Sequence, residues 1–278
     1  MKRNMLIIFF ILSCIFSSLA QASPIQNQVT HIAAGANHSL AIKEDGSVWA
    51  WGQNNYNQLG DGTGNHQNTP VKVDGLSNVS MIAAGQYHSL SLKDDCSVWA
   101  WGCNTNGQLG DGTTVNRTKP VQVSNLSQVT MIASGRYHNL AMKDDGSVWA
   151  WGVNSNGQLG DETNTNKNIP VQVSDLSNVI MIASGAYHSL AIKNDGSVWA
   201  WGYNGHGELG DGTTTKKNIP VQVSGLSNIT MIAAGAHHSL SIKMMVRFGH
   251  GGIIKKVNWA MERPKIKVVQ YNFMDFLV

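Results

Sequence analysis

The chain repeats itself every fifty residues, four times in succession and without an insertion or deletion. Each unit carries four markers in the same order: H-S/N-L-A/S-I/L/M-K, S-V-W-A-W-G, L-G-D-G/E-T and P-V-K/Q-V. One such unit cannot bury its own apolar face, so a fixed period predicts an array in which neighbouring units cover one another. We place a leader at 23–28, units at 29–78, 79–128, 129–178 and 179–228, and a partial fifth unit at 229–243.

A single unit is predicted to form four short strands. In the third unit, Val129–Ser134, His138–Lys143 and Ser147–Gly152 have the apolar patterns of strands, and an Asp-Gly hairpin signal precedes the last of them. Pro170 is expected to open a fourth strand at Val171–Ser174, because proline is tolerated only at a strand start or on an edge. Four strands per unit predict an all-β fold of propeller blades, with a solenoid of β-arches as the alternative.

Paired tryptophans recur in every complete unit and are predicted to be structural. A buried tryptophan brings a large apolar surface and one N–H that needs an acceptor, which suits the core between blades; exposed stacking on carbohydrate is the alternative. The pairs are Trp49 and Trp51, Trp99 and Trp101, Trp149 and Trp151, and Trp199 and Trp201.

Recurring histidines invite the hypothesis of a ring of metal ligands: His38, His88, His138, His188 and His238. Zinc needs ligands that converge at about 2 Å, whereas equivalent residues of successive blades lie on separate sheets. We therefore expect these histidines to hydrogen-bond main-chain atoms between blades. No metal site and no cofactor are predicted.

The charge distribution argues against a nucleic-acid partner. The formal net charge is +3 and charged residues make up 13% of the chain. Residues 23–243, however, contain 12 basic and 15 acidic side chains, whereas 244–278 contain six basic and two acidic ones. The array is therefore slightly acidic and lacks the basic surface by which nucleic-acid binders are recognised.

Residues 1–22 are predicted to be an export signal. Lys2 and Arg3 precede an apolar run at Met5–Phe16, and Ala20-Gln21-Ala22 fits a cleavage site. The run is too short for a comfortable membrane span, so we expect a secreted or periplasmic protein. The alternative is a lipoprotein whose anchor is Cys14.

Two cysteines, Cys96 and Cys103, belong to the array, and Cys96 stands where the other units have glycine. If the segment between them is a strand, they lie roughly 23 Å apart. A disulfide needs Cα atoms within about 7 Å. Both are therefore expected to be free thiols.

The succession G-x-x-H-S-L, D-G-S-V-W-A-W-G, G-Q-L-G-D-G-T and P-V-Q-V over residues 29–243 resembles the regulator of chromosome condensation repeat. The resemblance implies a seven-bladed propeller that acts as a protein-binding platform. The founding member of that family catalyses guanine-nucleotide exchange on the small GTPase Ran through loops and a β-wedge. No unit here is longer than fifty residues, which leaves no room for such a wedge. A secreted bacterial member that inhibits β-lactamases is the nearer analogue.

Near-identical units supply the same groups several times, whereas catalysis needs a few unique groups with tuned pKa values. No enzyme is predicted. Positions that vary between units fall in the connections, and aromatic loop residues on a rigid scaffold are typical binding anchors; ordinary loop drift is the alternative. The predicted contacts are Tyr56, Tyr87, Tyr137, Tyr187, Tyr203 and His206. We expect an exported, non-catalytic binding or inhibitor module for an unidentified protein; the alternative is an exchange factor for a small GTPase of a host.

The fifth unit loses every marker after Lys243. If one nucleotide were missing near that codon, the genetic code fixes or nearly fixes six residues of the second frame. All six agree with the residues fifty positions earlier: Asp195, Gly196, Leu209, Gly210, Gly212 and Gly225. Residues 244–278 are therefore predicted to be an out-of-frame tail on a truncated array, which should leave apolar blade faces uncovered.

Overall fold

The computed structural model describes residues 28–244 and 267–271, and these form β-strands and no helix. Within this part of the chain, nothing has the helical length and apolarity needed to cross a bilayer. The predicted export signal at 1–22, the alternative anchor Cys14 and most of the predicted tail at 244–278 lie outside the described residues.

Each unit contributes one blade. The first blade contains β1 Val29–Ala34, β2 His38–Lys43, β3 Val48–Gly52 and β4 Gln67–Lys72; the second contains β5 Val79–Ala84, β6 His88–Lys93, β7 Val98–Gly102 and β8 Arg117–Gln122. The third contains β9 Val129–Ser134, β10 His138–Lys143, β11 Val148–Gly152 and β12 Lys167–Gln172; the fourth contains β13 Val179–Ser184, β14 His188–Lys193, β15 Val198–Gly202 and β16 Lys217–Gln222. The fifth contains β17 Ile229–Ala234, β18 Ser239–Met244 and β19 Lys267–Tyr271.

The first four blades are antiparallel sheets whose strands follow chain order, which confirms the predicted all-β blades. The predicted position of the fourth strand was wrong in its bounds: β12 covers Lys167–Gln172 rather than 171–174. Its pairing with β11 jumps from Ala150↔Val171 to Gly152↔Lys167. Pro170 lies in this irregular stretch of an edge strand, where a missing N–H removes no ladder hydrogen bond.

The core lies between blades rather than within them. One face of the third blade presents Leu140, Val148 and Leu159, and these pack with Ile182 and Trp201 of the fourth blade in one buried cluster. Equivalent clusters join the first blade to the second, the second to the third and the fourth to the fifth. Burying both faces of each sheet explains why the strand sequences are apolar on both sides.

The fifth blade differs from the other four in its third strand. There β19 pairs with β18 in parallel, with Leu240 opposite Lys267 and Met244 opposite Tyr271. In the fourth blade the corresponding strand, β15, is antiparallel to β14. A segment of the predicted out-of-frame tail therefore occupies the place of V-W-A-W-G, but in the opposite direction.

Both ends of the array expose positions that are covered in its interior. Ile32 is 78% exposed, whereas its equivalents Ile82 and Ile132 are 8% and 6% exposed because the preceding blade covers them. Met231 is 52% exposed, whereas Met181 packs against the cluster that joins the fourth and fifth blades. The first and last blades thus each leave an apolar face open.

Candidate binding face

Two connections of every blade emerge at the same end of the sheet. One is the turn between the first and second strands, such as 135–137, and the other is the loop that follows the third strand, such as 153–157. The main-chain N–H of Val153 donates to the carbonyl of Tyr137 at 2.9 Å, which joins the two connections. This end therefore gathers the positions that vary between units.

The recurring histidines hold neighbouring blades together beneath this surface. His88 is fully buried, and its Nε2 lies 2.8 Å from Oδ1 of Asn139 in the next blade. His38, His138 and His188 reach Oγ of Ser89, Ser189 and Ser239 at 2.9, 3.0 and 3.0 Å. These contacts cross between blades, but each partner is a side chain, so the expected main-chain partner was wrong.

Burial controls the charge state of these histidines. It lowers the pKa of His38, His88 and His188 from 6.5 to about 4, and that of His138 to about 3. They are therefore neutral at neutral pH. Each ring also packs on a glycine: a Cβ at Gly135 would stand 2.3 Å from Cε1 of His138 and 2.5 Å from the carbonyl oxygen of Gly185.

The second tryptophan of each pair, which we call the inner tryptophan, can anchor a loop of the preceding blade through a hydrogen bond. Trp151 is fully buried, and its indole N–H donates to the carbonyl of Gln108 at 3.0 Å. Nδ2 of Asn139 donates to the same carbonyl at 2.7 Å. Trp101 and Trp201 are equally buried and donate to the carbonyls of Gln58 and Gln158 at 2.9 Å. Trp51, which has no blade before it in the part of the chain that the structure describes, is half-buried.

The first tryptophan of each pair, which we call the outer tryptophan, is half-buried. It lies toward the end of the blade opposite to the variable connections. Trp49, Trp99, Trp149 and Trp199 donate their indole N–H groups to Oγ of Ser47, Ser97, Ser147 and Ser197. A lysine ammonium lies over each ring, 3.7 Å from the centroid for Lys43 over Trp49 and 4.5 Å for Lys143 over Trp149. These side chains are covered by their own blade and a lysine, not presented as an aromatic platform.

The L-G-D-G/E-T loops are held by internal hydrogen bonds to their aspartates. Oδ1 of Asp111 accepts from the main-chain N–H of Thr113 and from Nδ2 of the buried Asn104, both at 3.0 Å. Arg117 donates to Oδ2 at 2.6 Å. Burial opposes the charged form of Asp111, but the hydrogen bonds from Thr113 and Arg117 outweigh it and lower the pKa of the carboxyl.

All six predicted contact residues lie in one continuous line across the five blades. We call this line the aromatic belt; it consists of Tyr56, Tyr87, Tyr137, Arg136, Tyr187, Tyr203, His206 and His237. Ring centroids are separated by 4.6 Å for Tyr56–Tyr87, 6.2 Å for Tyr87–Tyr137, 6.4 Å for Tyr187–Tyr203, 6.0 Å for Tyr203–His206 and 5.5 Å for His206–His237.

Arg136 closes the one gap in the belt. Its guanidinium carbon lies 5.3 Å from the ring centroid of Tyr137 and 5.5 Å from that of Tyr187, and it donates to the Tyr187 hydroxyl at 2.5 Å. Burial raises the pKa of Tyr137. Sequence reasoning did not single out Arg136, because its two ring partners come from different units.

The belt borders the mouth of a central cavity of about 460 Å³. The first strands of all five blades contribute small residues to its wall, and Arg136, Tyr187 and His237 line it as well. Tyr56 is 38% exposed, while the other tyrosines of the belt are half-buried. Each ring is thus held by neighbours yet presents part of its surface to solvent.

Glu208 is a buried charge that sequence reasoning did not single out. It replaces the glutamine of the first three units, and its side chain is 0% exposed. Its Oε1 lies 3.5 Å from Nδ1 of His237, and its Oε2 accepts from the main-chain N–H of His206 at 2.9 Å. The replacement of Gln by Glu in one unit is the sequence signal that could have identified Glu208.

The family model described as RCC1-like domain matches residues 15–251. Human WBSCR16 superposes with a TM-score of 0.70 at 25% sequence identity, over 79% of this chain and 58% of that one. Yeast RCC1 (Prp20), solved with Kap60, superposes with a TM-score of 0.69 at 24% identity, over 77% of this chain and 53% of that one. At 24% identity, the likeness to yeast RCC1 shows a shared fold alone.

Curated relatives match over about one unit. The human E3 ubiquitin-protein ligase HERC2 is 43% identical over 49 residues, which are 18% of this chain and 1% of that protein. The mitochondrial RCC1 domain-containing protein RUG3 of Arabidopsis thaliana is 37% identical over 51 residues, which are 18% of this chain and 12% of that protein. The chain therefore spans a small part of these relatives and little more than half of the two solved chains.

Proposed function

The chain belongs to the RCC1-like domain family, and from that premise we propose that it is an exported, non-catalytic module that binds another protein through the aromatic belt. The observation that carries this proposal is the continuity of the belt across the five blades. Tyrosine and arginine are the residues most enriched among binding hot spots. A protein partner fits a surface of this breadth better than a small ligand does.

The scaffold supports such a role because it holds the belt residues before a partner arrives. Carbonyls of the connecting loops accept hydrogen bonds from buried side chains of the next blade, as Gln108 does from Trp151. Neighbouring rings also restrict one another's rotation. A preorganised surface loses less conformational entropy on binding, so more of the contact energy appears as affinity.

The groups with strongly perturbed pKa values favour a structural over a catalytic role. They are the histidines between blades, and His88, His138 and His188 are 0% exposed. A general acid or base must come within hydrogen-bond reach of a substrate, and these rings are sealed from solvent. The accessible groups of the belt are phenols, one guanidinium and the imidazoles of His206 and His237, which suit recognition.

The binding proposal is tested with a photo-crosslinking amino acid placed at Tyr187 in the full chain. The same amino acid at Asp144, on the opposite end of the third blade, is the matched control. The expected result is one saturable crosslinked partner from Tyr187 that is lost on adding unlabelled protein, and that Tyr137→Ser also removes. Equal crosslinking from both positions would show that the belt does not carry binding.

A nucleotide-release assay separates this proposal from exchange activity. Prp20p of Saccharomyces cerevisiae has been studied for its binding to Gsp1p and histones, and that likeness reaches this chain only through the fold. We expect no acceleration of nucleotide release from a small GTPase. Acceleration that depends on Arg136 would replace the binding proposal by exchange.

Export rests on residues 1–22, and we propose cleavage after Ala22. Secretion in a bacterial host should yield a mature amino terminus at Ser23. Arg3→Glu together with Lys2→Glu should retain the protein in the cytoplasm, because both changes remove the positive segment before the apolar run. A mature terminus at a lipid-modified Cys14 would select the lipoprotein alternative.

A further inference from the structure

Three positions of the fourth and fifth units depart from the repeat toward metal-ligating chemistry. Position 206 is tyrosine or asparagine in the first three units, position 208 is glutamine, and the equivalents of position 237 are asparagine or tyrosine. In the fourth and fifth units they are His206, Glu208 and His237. Independent drift would not be expected to produce three ligand-type residues at positions that meet in space.

The three side chains converge across the boundary between the fourth and fifth blades. A ring nitrogen of each histidine and a carboxylate oxygen of Glu208 all lie within 4.8 Å of one another. Oε1 of Glu208 and Nδ1 of His237 are 3.5 Å apart. Two ligands on a tetrahedral zinc ion, each at 2.0–2.2 Å, stand about 3.4 Å apart. One pair is therefore already at that separation, and a ring nitrogen of the exposed His206 lies within 4.8 Å of both ligand atoms.

The carboxylate of Glu208 is oriented by the same contact that orients the glutamine in the other units. Oε1 of Gln108 accepts from the main-chain N–H of Asn106 at 2.9 Å, and its Nε2 is buried with no hydrogen-bond partner. In Glu208, Oε2 accepts the equivalent N–H of His206 at 2.9 Å. The fourth unit thus places an oxygen where the others place an NH₂ donor, and only an oxygen can bind a cation.

That oxygen lacks a hydrogen-bond donor. Oε1 of Glu208 has no hydrogen-bond partner among the described residues, and the side chain is 0% exposed. A buried carboxylate oxygen without a donor is destabilising, and a cation beside it removes that penalty. The two histidines are exposed, so an ion could enter from the side of the aromatic belt.

We propose that His206, Glu208 and His237 bind a divalent transition-metal ion, with zinc as the best match to two imidazoles and one carboxylate. The ion would join a loop of the fourth blade to the first turn of the fifth. A fourth coordination position would face the mouth of the central cavity, which His237 lines. The recurring histidines between blades take no part. The proposal departs from the sequence-based expectation that the chain has no metal site.

An ion pair between protonated His237 and Glu208 is the competing explanation. It would need neither a metal nor His206, so it would be unaffected by His206→Asn and by added zinc. Dependence on His206 and on zinc therefore separates the two explanations.

The test is a zinc titration of the full chain, free of any affinity tag and stripped with a chelator, followed by isothermal calorimetry. Glu208→Gln, His237→Tyr and His206→Asn each restore a residue that other units already contain, so each variant should fold. His31→Asn, an exposed histidine of the first blade, is the matched control.

The expected result is one saturable zinc site per chain whose affinity falls at least about tenfold in each of the three variants and not in His31→Asn. Co²⁺ should give visible absorption bands of low-symmetry coordination in the parent and none in Glu208→Gln. Zinc should raise the melting temperature of the parent and of His31→Asn, but not that of the three site variants. The proposal is overturned if no saturable binding occurs, or if binding survives all three variants.

Discussion

The carbonyl oxygen of Gln108 accepts a 3.0 Å hydrogen bond from the indole N–H of Trp151, one blade farther along the chain. Nδ2 of Asn139 donates to the same carbonyl, and Nε2 of His88 contacts Oδ1 of Asn139. A side-chain network thus ties the loop of one blade to the core of the next. This network explains how a strictly repeated sequence positions a binding surface that is not itself repeated.

Removing the indole donor should destabilise the array without emptying its core. Trp151→Phe keeps most of the apolar surface but removes a buried hydrogen bond, and we expect a loss of about 1–3 kcal/mol in the free energy of unfolding. Trp51→Phe is the matched control, because no blade among the described residues precedes Trp51 and offers it an acceptor, and its cost should be smaller. Urea denaturation of the two variants measures the difference. Equal losses would mean that the hydrogen bond contributes little.

The fold could be predicted from the sequence because each strand signal occurs four times in register. The bounds of β9 and β10 match those predicted, whereas β12 begins earlier because its bulge accommodates Pro170. Local patterns do not encode such an irregular pairing, which depends on the partner strand. The prediction was thus wrong in the bounds of a strand and in the hydrogen-bond partner of the recurring histidines, but not in the type of any strand.

The contact residues of the candidate site could be found from variation between units, but their arrangement could not. Tyr137 and Tyr187 are fifty positions apart, and only the packing of blades brings Arg136 between them. Glu208 was missed because a Gln-to-Glu change looks conservative until burial is known. Burial turns that change into a carboxyl oxygen without a hydrogen-bond partner.

Acid should destabilise the array at pH values well above those at which its carboxylates become protonated. Burial lowers the pKa of His88 from 6.5 to about 4 and that of His138 to about 3. Between pH 6.5 and about 4 these histidines bind protons in the unfolded chain but stay neutral in the folded chain. The free energy of unfolding therefore falls as the pH falls. Each histidine contributes a slope of up to about 1.4 kcal/mol per pH unit.

Substituting one of these histidines should make that slope shallower. His88→Gln removes one titrating ring and keeps an amide that can reach Asn139, so its free energy of unfolding should fall less steeply between pH 6.5 and 4.5 than that of the parent. Between pH 7 and 8 the two curves should run parallel. Denaturant unfolding at a series of pH values makes the comparison. Equal slopes in the acid range would contradict a neutral buried histidine.

Replacing Cys96 by glycine should stabilise the second blade. Cys96 has a φ of 62°, in the left-handed region, where the equivalent Gly146 has a φ of 75°. A side chain in that region costs roughly 1–2 kcal/mol, partly offset by the extra freedom of glycine in the unfolded chain. We expect a net gain of about 1 kcal/mol in a thermal or urea melt. Cys96→Ser keeps the Cβ and should give no gain, whereas a gain in Cys96→Ser would assign the effect to the thiol.

The open face of the first blade should drive self-association. Ile32 is 78% exposed at a position that is buried in the second, third and fourth blades. Ile32→Thr should lower the fraction of oligomer in sedimentation velocity, because it reduces the apolar area that a second copy can cover. Ile180→Thr is the matched control, since Ile180 is 50% exposed on a blade with neighbours on both sides. An equal decrease in both variants would point to general surface hydrophobicity.

Restoring the second reading frame after Lys243 should complete the fifth blade. Trp201 lies 43 residues after Gln158 and donates to its carbonyl. The restored frame places a tryptophan at position 251, at the same spacing after Glu208, so its indole N–H should donate to the carbonyl of Glu208. At present that carbonyl accepts from Oγ of Ser239 at 2.7 Å. The restored V-W-A-W-G would pair with β18 antiparallel, as β15 does with β14, and replace the parallel β19.

We expect the melting temperature to rise by roughly 5 °C, which corresponds to about 2 kcal/mol. A chain with the same restored segment but leucine at position 251 separates the hydrogen bond from the strand. No rise in either chain would mean that 244–278 already completes the blade and was not read out of frame.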